Sequence, residues 1–283
     1  MVLRPLSETI SLLTHPVTWI PGLYAGCLAT VLIWLAFSGW EFIAGKLIFL
    51  GLVVAPFFVG GLLGCLTSGE YTLGRFLRSA PRFFFPVILP AILALTISIL
   101  LVILFSISFA IAGLGSEAPM MGGLFIGIMV PVLIFSFFSD NVAVTEGLAV
   151  LASLKRSMVI TSQAFLTIIS CIIISCLAAL LLMLLTATLW GMILSEKFAG
   201  YLDLNMTQQQ EIFGEFGMAE WQQTLGADGI LVTSVIIGLF FFFLVPFFLV
   251  LKHQCYRAAS AVPVTPPEQG GEYDEKGRWY KYS

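Results

Sequence analysis

VVAPFFVGGLLG, residues 53–64, is an unbroken apolar run with a proline inside it. Two later stretches answer it: IMVPVLIFSFFS at 128–139 and FLVPFFLVLKHQ at 243–254. Aligned on Pro56, Pro131 and Pro246, each run closes a unit of the same order. A short polar or basic segment comes first, then an apolar span, a loop, and the proline-bearing span. The segments that open the units are LLTHPVTWIP at 12–21, FLRSAPRFFFP at 76–86 and SLKRSMVITSQAF at 153–165. Their polar breaks fall at matching places, Thr14-His15, Arg78-Ser79 and Arg156-Ser157. Similarity in fixed order is the signature of an internal repeat.

Composition fixes the solvent. Hydrophobic residues make up 59% of the 283 and charged residues 10%. Soluble domains carry roughly 45–50% and about 25%. Only lipid makes so much apolar surface cheap to leave uncovered. A span needs about 20 apolar residues, and six candidates result: 17–37, 47–66, 84–107, 121–138, 165–189 and 230–251. The fold expected is an all-α membrane protein of six transmembrane helices in three pseudo-repeated pairs. The first apolar run is long enough to stay as an anchor and lacks the short core of a cleavable signal.

Orientation follows from lysine and arginine. With the N-terminus inside, eleven of these residues fall inside and only Lys46 and Lys197 outside. The expectation is a cell-membrane protein with both termini in the cytoplasm. Leu6, Ile10, Leu13 and Val17, and then Leu148, Leu151, Leu154 and Met158, recur at helical spacing. They predict amphipathic elbow helices at the inner surface, with Pro16, Pro21, Pro81 and Pro86 at the elbows. Arg75, Arg78, Arg82, Lys155 and Arg156 are then candidate contacts for lipid headgroups.

The prolines inside spans each free a carbonyl that needs a partner within the bundle. Pro56, Pro131 and Pro246 are candidate kinks, expected to face inward, or hinges of a gate. Gly22 and Gly26, Gly60 and Gly64, and Gly123 and Gly127 form three GxxxG pairs, read as helix contacts. Asp140 and Asn141, followed by Glu146, Lys155 and Arg156, form a cluster at the inner end of the fourth span. It reads as a local cap or as a gate, with Asp140 and Glu146 the residues to watch.

Chemistry is sparse. His15 and His253 have no carboxylate or cysteine at ligand spacing. No nucleophile–base set, phosphate loop or dinucleotide fingerprint is present. The five cysteines form no CxxC pattern. The expectation is a protein without enzymatic activity, cofactor, metal or nucleic-acid partner. Between the fifth and sixth spans, Thr207 and Gln210 make a capping box before Ile212, Phe213, Phe216, Trp221 and Leu225, which predicts an outer amphipathic helix. Asn205-Met206-Thr207 is a glycosylation sequon in the same loop. The membrane domain is taken as 1–262 and a cytoplasmic tail as 263–283. Pro263, Pro266 and Pro267 make a stiff linker. Beyond it the tail is either disordered or a small hairpin turning at Asp274 to Gly277. Tyr273, Trp279, Tyr280 and Tyr282 are its candidate docking residues, for lipid or a protein partner; the outer loop is the other place for a partner.

EGLAVLASLKRS at 146–157 resembles a pattern in a broad prokaryotic superfamily. Those are polytopic proteins related to the membrane domain of glycerophosphoryl diester phosphodiesterases and to similar uncharacterised archaeal families. Glu146, Gly147, Lys155, Arg156 and Ser157 carry the likeness. It implies a six-helix membrane fold with amphipathic elbows. It does not imply phosphodiesterase activity, because the catalytic barrel of those enzymes is a separate soluble domain that does not fit in this chain. The function expected is a scaffold that organises lipid or partner proteins. A transporter or flippase for an apolar or amphipathic solute is the alternative.

Overall fold

The structure, a computed structural model, describes residues 3–111, 118–202, 214, 216–261, 271–273 and 279–281. In chain order these are α1 (Leu3–Leu12), a 3-10 turn (Pro16–Trp19), α2 (Ile20–Phe37), α3 (Glu41–Ser68), α4 (Leu73–Ile111) and α5 (Ala118–Phe135). There follow α6 (Ser139–Thr145), α7 (Val150–Gln163), α8 (Phe165–Leu194), a second 3-10 turn (Ser195–Phe198), α9 (Ala199–Leu202) and α10 (Met218–Ser260). Two short strands, β1 (Gly271–Tyr273) and β2 (Trp279–Lys281), end the described chain. Among the described residues six helical segments are long and apolar enough to cross a membrane, which supports a multi-pass membrane protein.

The helices end where the sequence supplies stops. Gly39 and Gly69 take positive φ at the ends of α2 and α3, a conformation that costs glycine nothing. α6 and α7 part at Gly147, with φ 65°.

The middle junction departs from expectation. α4 runs unbroken for 39 residues through Pro81, Pro86 and Pro90, so Arg78-Ser79 is no break. Ser79 is buried, and a Cβ on Gly64 of α3 would collide with it. The small polar side chain there is a contact that lets α3 and α4 close up. The other two junctions are interrupted, by the turn after α1 and at Ala164 (φ −115°, ψ 34°) between α7 and α8. The break after α5 also lies earlier than expected, at 136–138, and residues 139–145 are helical.

α10 is the mast of the bundle. It packs on α1, α2, α3, α7 and α8. Val250 enters an apolar cluster with Leu62, Leu63, Cys65 and Phe76. Leu251, one residue on, enters another with Phe138, Ile160, Ile168 and Cys171. Both clusters lie at one end, where α3 finishes, α4 and α8 begin and α10 finishes. We call that end the foot. Toward the other end the outward faces of α3, α4, α5 and α8 expose apolar side chains such as Leu52, Leu100, Ile126 and Leu181. This is the pattern of surface meant for lipid. Gly226 (φ 65°, ψ 180°) interrupts α10, setting 218–225 apart from the long helix that follows.

The outer helix predicted from Thr207 and Gln210 falls mostly outside the described residues, as does Asn205. Its end, Trp221 and Leu225, is helical, and Leu225 packs with Leu194 and Ile230. In the tail, β1 and β2 pair antiparallel with Tyr273 opposite Trp279 and Glu272 opposite Tyr280. That is the hairpin alternative of the two expected. Tyr282 lies outside the described residues.

Candidate functional site

Two features at different depths could carry a function: a polar seam at the foot and an apolar cleft higher up.

The seam begins at the break between α5 and α6. A helix end leaves backbone groups without partners. Here α7 supplies them. Ser157 Oγ donates to Phe135 O at 2.8 Å and accepts from the Phe138 N–H at 3.1 Å. Thr161 Oγ1 donates to Ile134 O at 3.4 Å. The serine of the LKRS stretch therefore holds the α5–α6 joint.

α6 then presents two adjacent polar residues to two adjacent residues of α10. Lys252 Nζ donates to Asp140 Oδ2 at 2.7 Å. His253 Nδ1 lies 2.9 Å from Asn141 Oδ1. The side chains of Lys252 and Asp140 are only 13% and 16% exposed. At that burial the pair is poorly screened, and removing one partner is costly. Asp140 Oδ1 also accepts from the Asn141 backbone N–H at 2.8 Å and from its Nδ2 at 3.2 Å. That second bond orients the Asn141 amide, leaving Oδ1 for histidine. So His253 carries its proton on Nδ1 toward Asn141. Nε2 is buried and has no partner among the described residues.

A third link lies one turn on. Tyr256 OH donates to Glu146 Oε1 at 2.9 Å, and Arg156 Nε reaches both Glu146 oxygens at 3.3 Å. Glu146 thus ties α7 to α10.

The cleft lies between α2, α3 and α10, with a volume of about 490 Å³. Tyr24, Leu28, Ala55, Phe58, Ile237 and Phe241 are among its walls. No charged residue lines it. The Tyr24 hydroxyl is spent on Gly51 O at 2.6 Å, and its ring stacks on Phe58 at 4.1 Å. The cleft offers dispersion contacts only.

The expected site residues separate. Arg78, Arg82 and Lys155 are exposed, Arg82 lying over the Phe83 ring at 5.4 Å. Arg75 is half-buried, with Nε unpartnered among the described residues. Arg156 is turned to Glu146. Asp140 and Glu146 join one seam, but Asp140 is neutralised by Lys252 from α10 and not by the nearby Lys155 or Arg156. Pro56 and Pro246 are buried, whereas Pro131 is exposed. The inward-facing triad of prolines is therefore a pair. No described helix covers Pro131 on α5. The third glycine pair behaves alike, since nothing lies within 4 Å of a Cβ built on Gly123 or Gly127. Sequence reasoning missed Lys252, His253 and Tyr256 as partners of the fourth span. The one signal for them was two matched polar dipeptides, Asp140-Asn141 and Lys252-His253, at the ends of apolar runs.

Among the described residues no three His, Cys, Asp or Glu side chains converge as metal ligands. No protein-family model, curated protein or solved structure matches this chain.

Proposed function

We propose that this protein is a non-enzymatic scaffold of the cell membrane that binds and organises lipid, with an acyl chain seated in the α2–α3–α10 cleft and both termini in the cytoplasm. The cleft carries the reading. Its walls are apolar throughout and its one hydroxyl is already bonded. A hydrocarbon chain loses nothing there and gains packing on both sides. The charge asymmetry of the loops supports the orientation, and puts the foot, with exposed Arg78, Arg82 and Lys155, at the level of the inner headgroups. α4 supports it too: 39 residues make about 58 Å of helix at 1.5 Å each. The apolar layer is about 30 Å thick, so the basic start of α4 has room to stand in the headgroup zone. The paired α1 and α7 are then elbows on that surface, and the repeat is the frame that sets them there.

The test is lipid retention. The protein purified from membranes is weighed by native mass spectrometry beside Ala55→Trp, which fills the cleft. Loss of one tightly held lipid, with retention down about tenfold for roughly 1.4 kcal/mol of packing, is expected. Equal retention by both proteins overturns the reading.

A transporter or flippase is the second reading. It is favoured by the position of the cleft beside two span-interior prolines, since Ala55 and Val245 of its walls adjoin Pro56 and Pro246. It expects labelled lipid or solute to cross vesicles containing the protein, and the rate to fall in Pro56→Ala and Pro246→Ala.

A further inference from the structure

We propose that the lipid held in the α2–α3–α10 cleft is a two-chain lipid, and that its second acyl chain lies in a neighbouring groove between α8 and α10. This rests on the lipid-binding reading and names the class of lipid.

The groove has a volume of about 450 Å³, close to the 490 Å³ of the cleft. Met183, Ala187 and Trp190 of α8 line it, with Thr233, Ile236 and Phe240 of α10. No charged residue does. Its polar side chains keep no donor to spare. Trp190 Nε1 donates to Thr233 Oγ1 at 2.8 Å, Thr233 Oγ1 to Gly229 O at 2.8 Å, and Thr186 Oγ1 to Leu182 O at 2.9 Å. An occupant with polar atoms at this depth would lose hydrogen bonds and gain none. Hydrocarbon loses nothing.

The two spaces meet. Ile237 and Phe241 line both of them. These residues stand one turn apart on α10 and share a face. They form a ridge with the cleft on one flank and the groove on the other. A ridge one side chain wide is narrow enough for two chains joined at one glycerol to straddle. A single chain, or a rigid fused ring, fills one flank only.

Helix closure sets the direction. Toward the foot, Ile168 and Cys171 of α8 share a buried cluster with Leu251 and Cys255 of α10, and the groove has ended. Away from the foot, the groove continues to Trp190 and Thr233, and the cleft to Ala36 and Ala44. The chains run side by side on that side of the ridge, so their joined end lies there. With both termini in the cytoplasm, this is the outer leaflet. Joining the chains adds affinity without a new contact. Once one chain is seated, the other is held beside its groove at a high effective concentration.

The test compares one chain with two. Full-length protein in detergent, stripped of lipid, is titrated with dioleoylphosphatidylcholine and with the lysolipid of the same headgroup and chain, and weighed by native mass spectrometry. One two-chain molecule is expected to bind, about tenfold or more tighter than the lysolipid. Ala187 is an exposed residue of the groove wall, so Ala187→Trp covers the groove without entering a packed contact. At an unchanged melting temperature it is expected to weaken the two-chain lipid about tenfold and leave the first lysolipid bound as before. Ala55→Trp is expected to weaken the same two-chain lipid. Equal affinity of the unaltered protein for both lipids overturns the proposal, as does retention of the two-chain lipid by Ala187→Trp at the parent level. Two two-chain lipids on the parent, one lost in each variant, overturn it too, since the spaces then serve separate molecules. A dimer that Ala187→Trp separates overturns it because a second copy then covers the groove. If Ala55→Trp still loses lipid in any of these cases, the cleft reading stands without the groove. If Ala55→Trp retains lipid, both fall.

Discussion

Gly22 and Gly26 on α2 and Gly123 and Gly127 on α5 belong to the same four-residue motif, yet they do opposite things. A Cβ on Gly22 would collide with the Phe242 carbonyl of α10, and one on Gly26 would come within 2.8 Å of the Gly238 carbonyl. On α5 the same positions face open space. Gly60 and Gly64 side with the first pair, against Phe83 and Ser79 of α4. The prolines divide in the same way, Pro56 and Pro246 buried and Pro131 exposed. A small-residue motif gives a helix permission to approach. Whether it does so depends on a partner with a matching groove, and α10 and α4 supply one while α5 meets none on that face among the described residues.

The largest effect expected is at the tight contact. Gly22→Leu drives a side chain into backbone that has no way to yield, and overpacking costs about 3 kcal/mol or more there. Loss of the monodisperse peak in detergent, or a collapsed melting temperature, is the readout. Next comes the seam. Lys252→Met leaves Asp140 buried without its cation, at a cost of about 3 kcal/mol, and adding Asp140→Leu recovers most of the melting temperature. If the double variant is no better than the single, the pair is not the unit described. Tyr256→Phe removes one bond to Glu146 and should cost about 1 kcal/mol in a denaturation series. The smallest effect is at Gly123→Leu, within about 0.5 kcal/mol of the parent protein. A loss as large as that of Gly22→Leu would erase the contrast between the two motifs and mean that something covers the face of α5.

The spans were legible because hydropathy is a property of consecutive residues. Each of the six expected runs lies largely within a helix long and apolar enough to cross a membrane. The ends were less so. Pro81 and Pro86 read as an elbow, but proline costs a helix one hydrogen bond and some crowding, and α4 absorbs both where Ser79 and Phe83 pack on α3. The pairing of the two tail strands fits the hairpin expected from the residue types between them, Tyr273 standing opposite Trp279. The seam was half-legible. Asp140 and Glu146 stood out as charges at the end of a span. Their partners Lys252 and Tyr256 lie 112 and 110 residues away, beyond any local pattern. The exposure of Pro131 was unreadable in principle, because it depends on the neighbours of α5 and not on α5 itself.

Asp140 and Asn141 are consecutive, and so are Lys252 and His253. Neighbouring positions on a helix point about 100° apart. The two bonds therefore grip α10 from two directions, as a spanner holds a nut. One bond alone would be a swivel. With both, a turn of α10 by a single residue takes each tooth out of its notch at once. The last helix and the short one beneath the fourth span are thereby locked in a single rotational register.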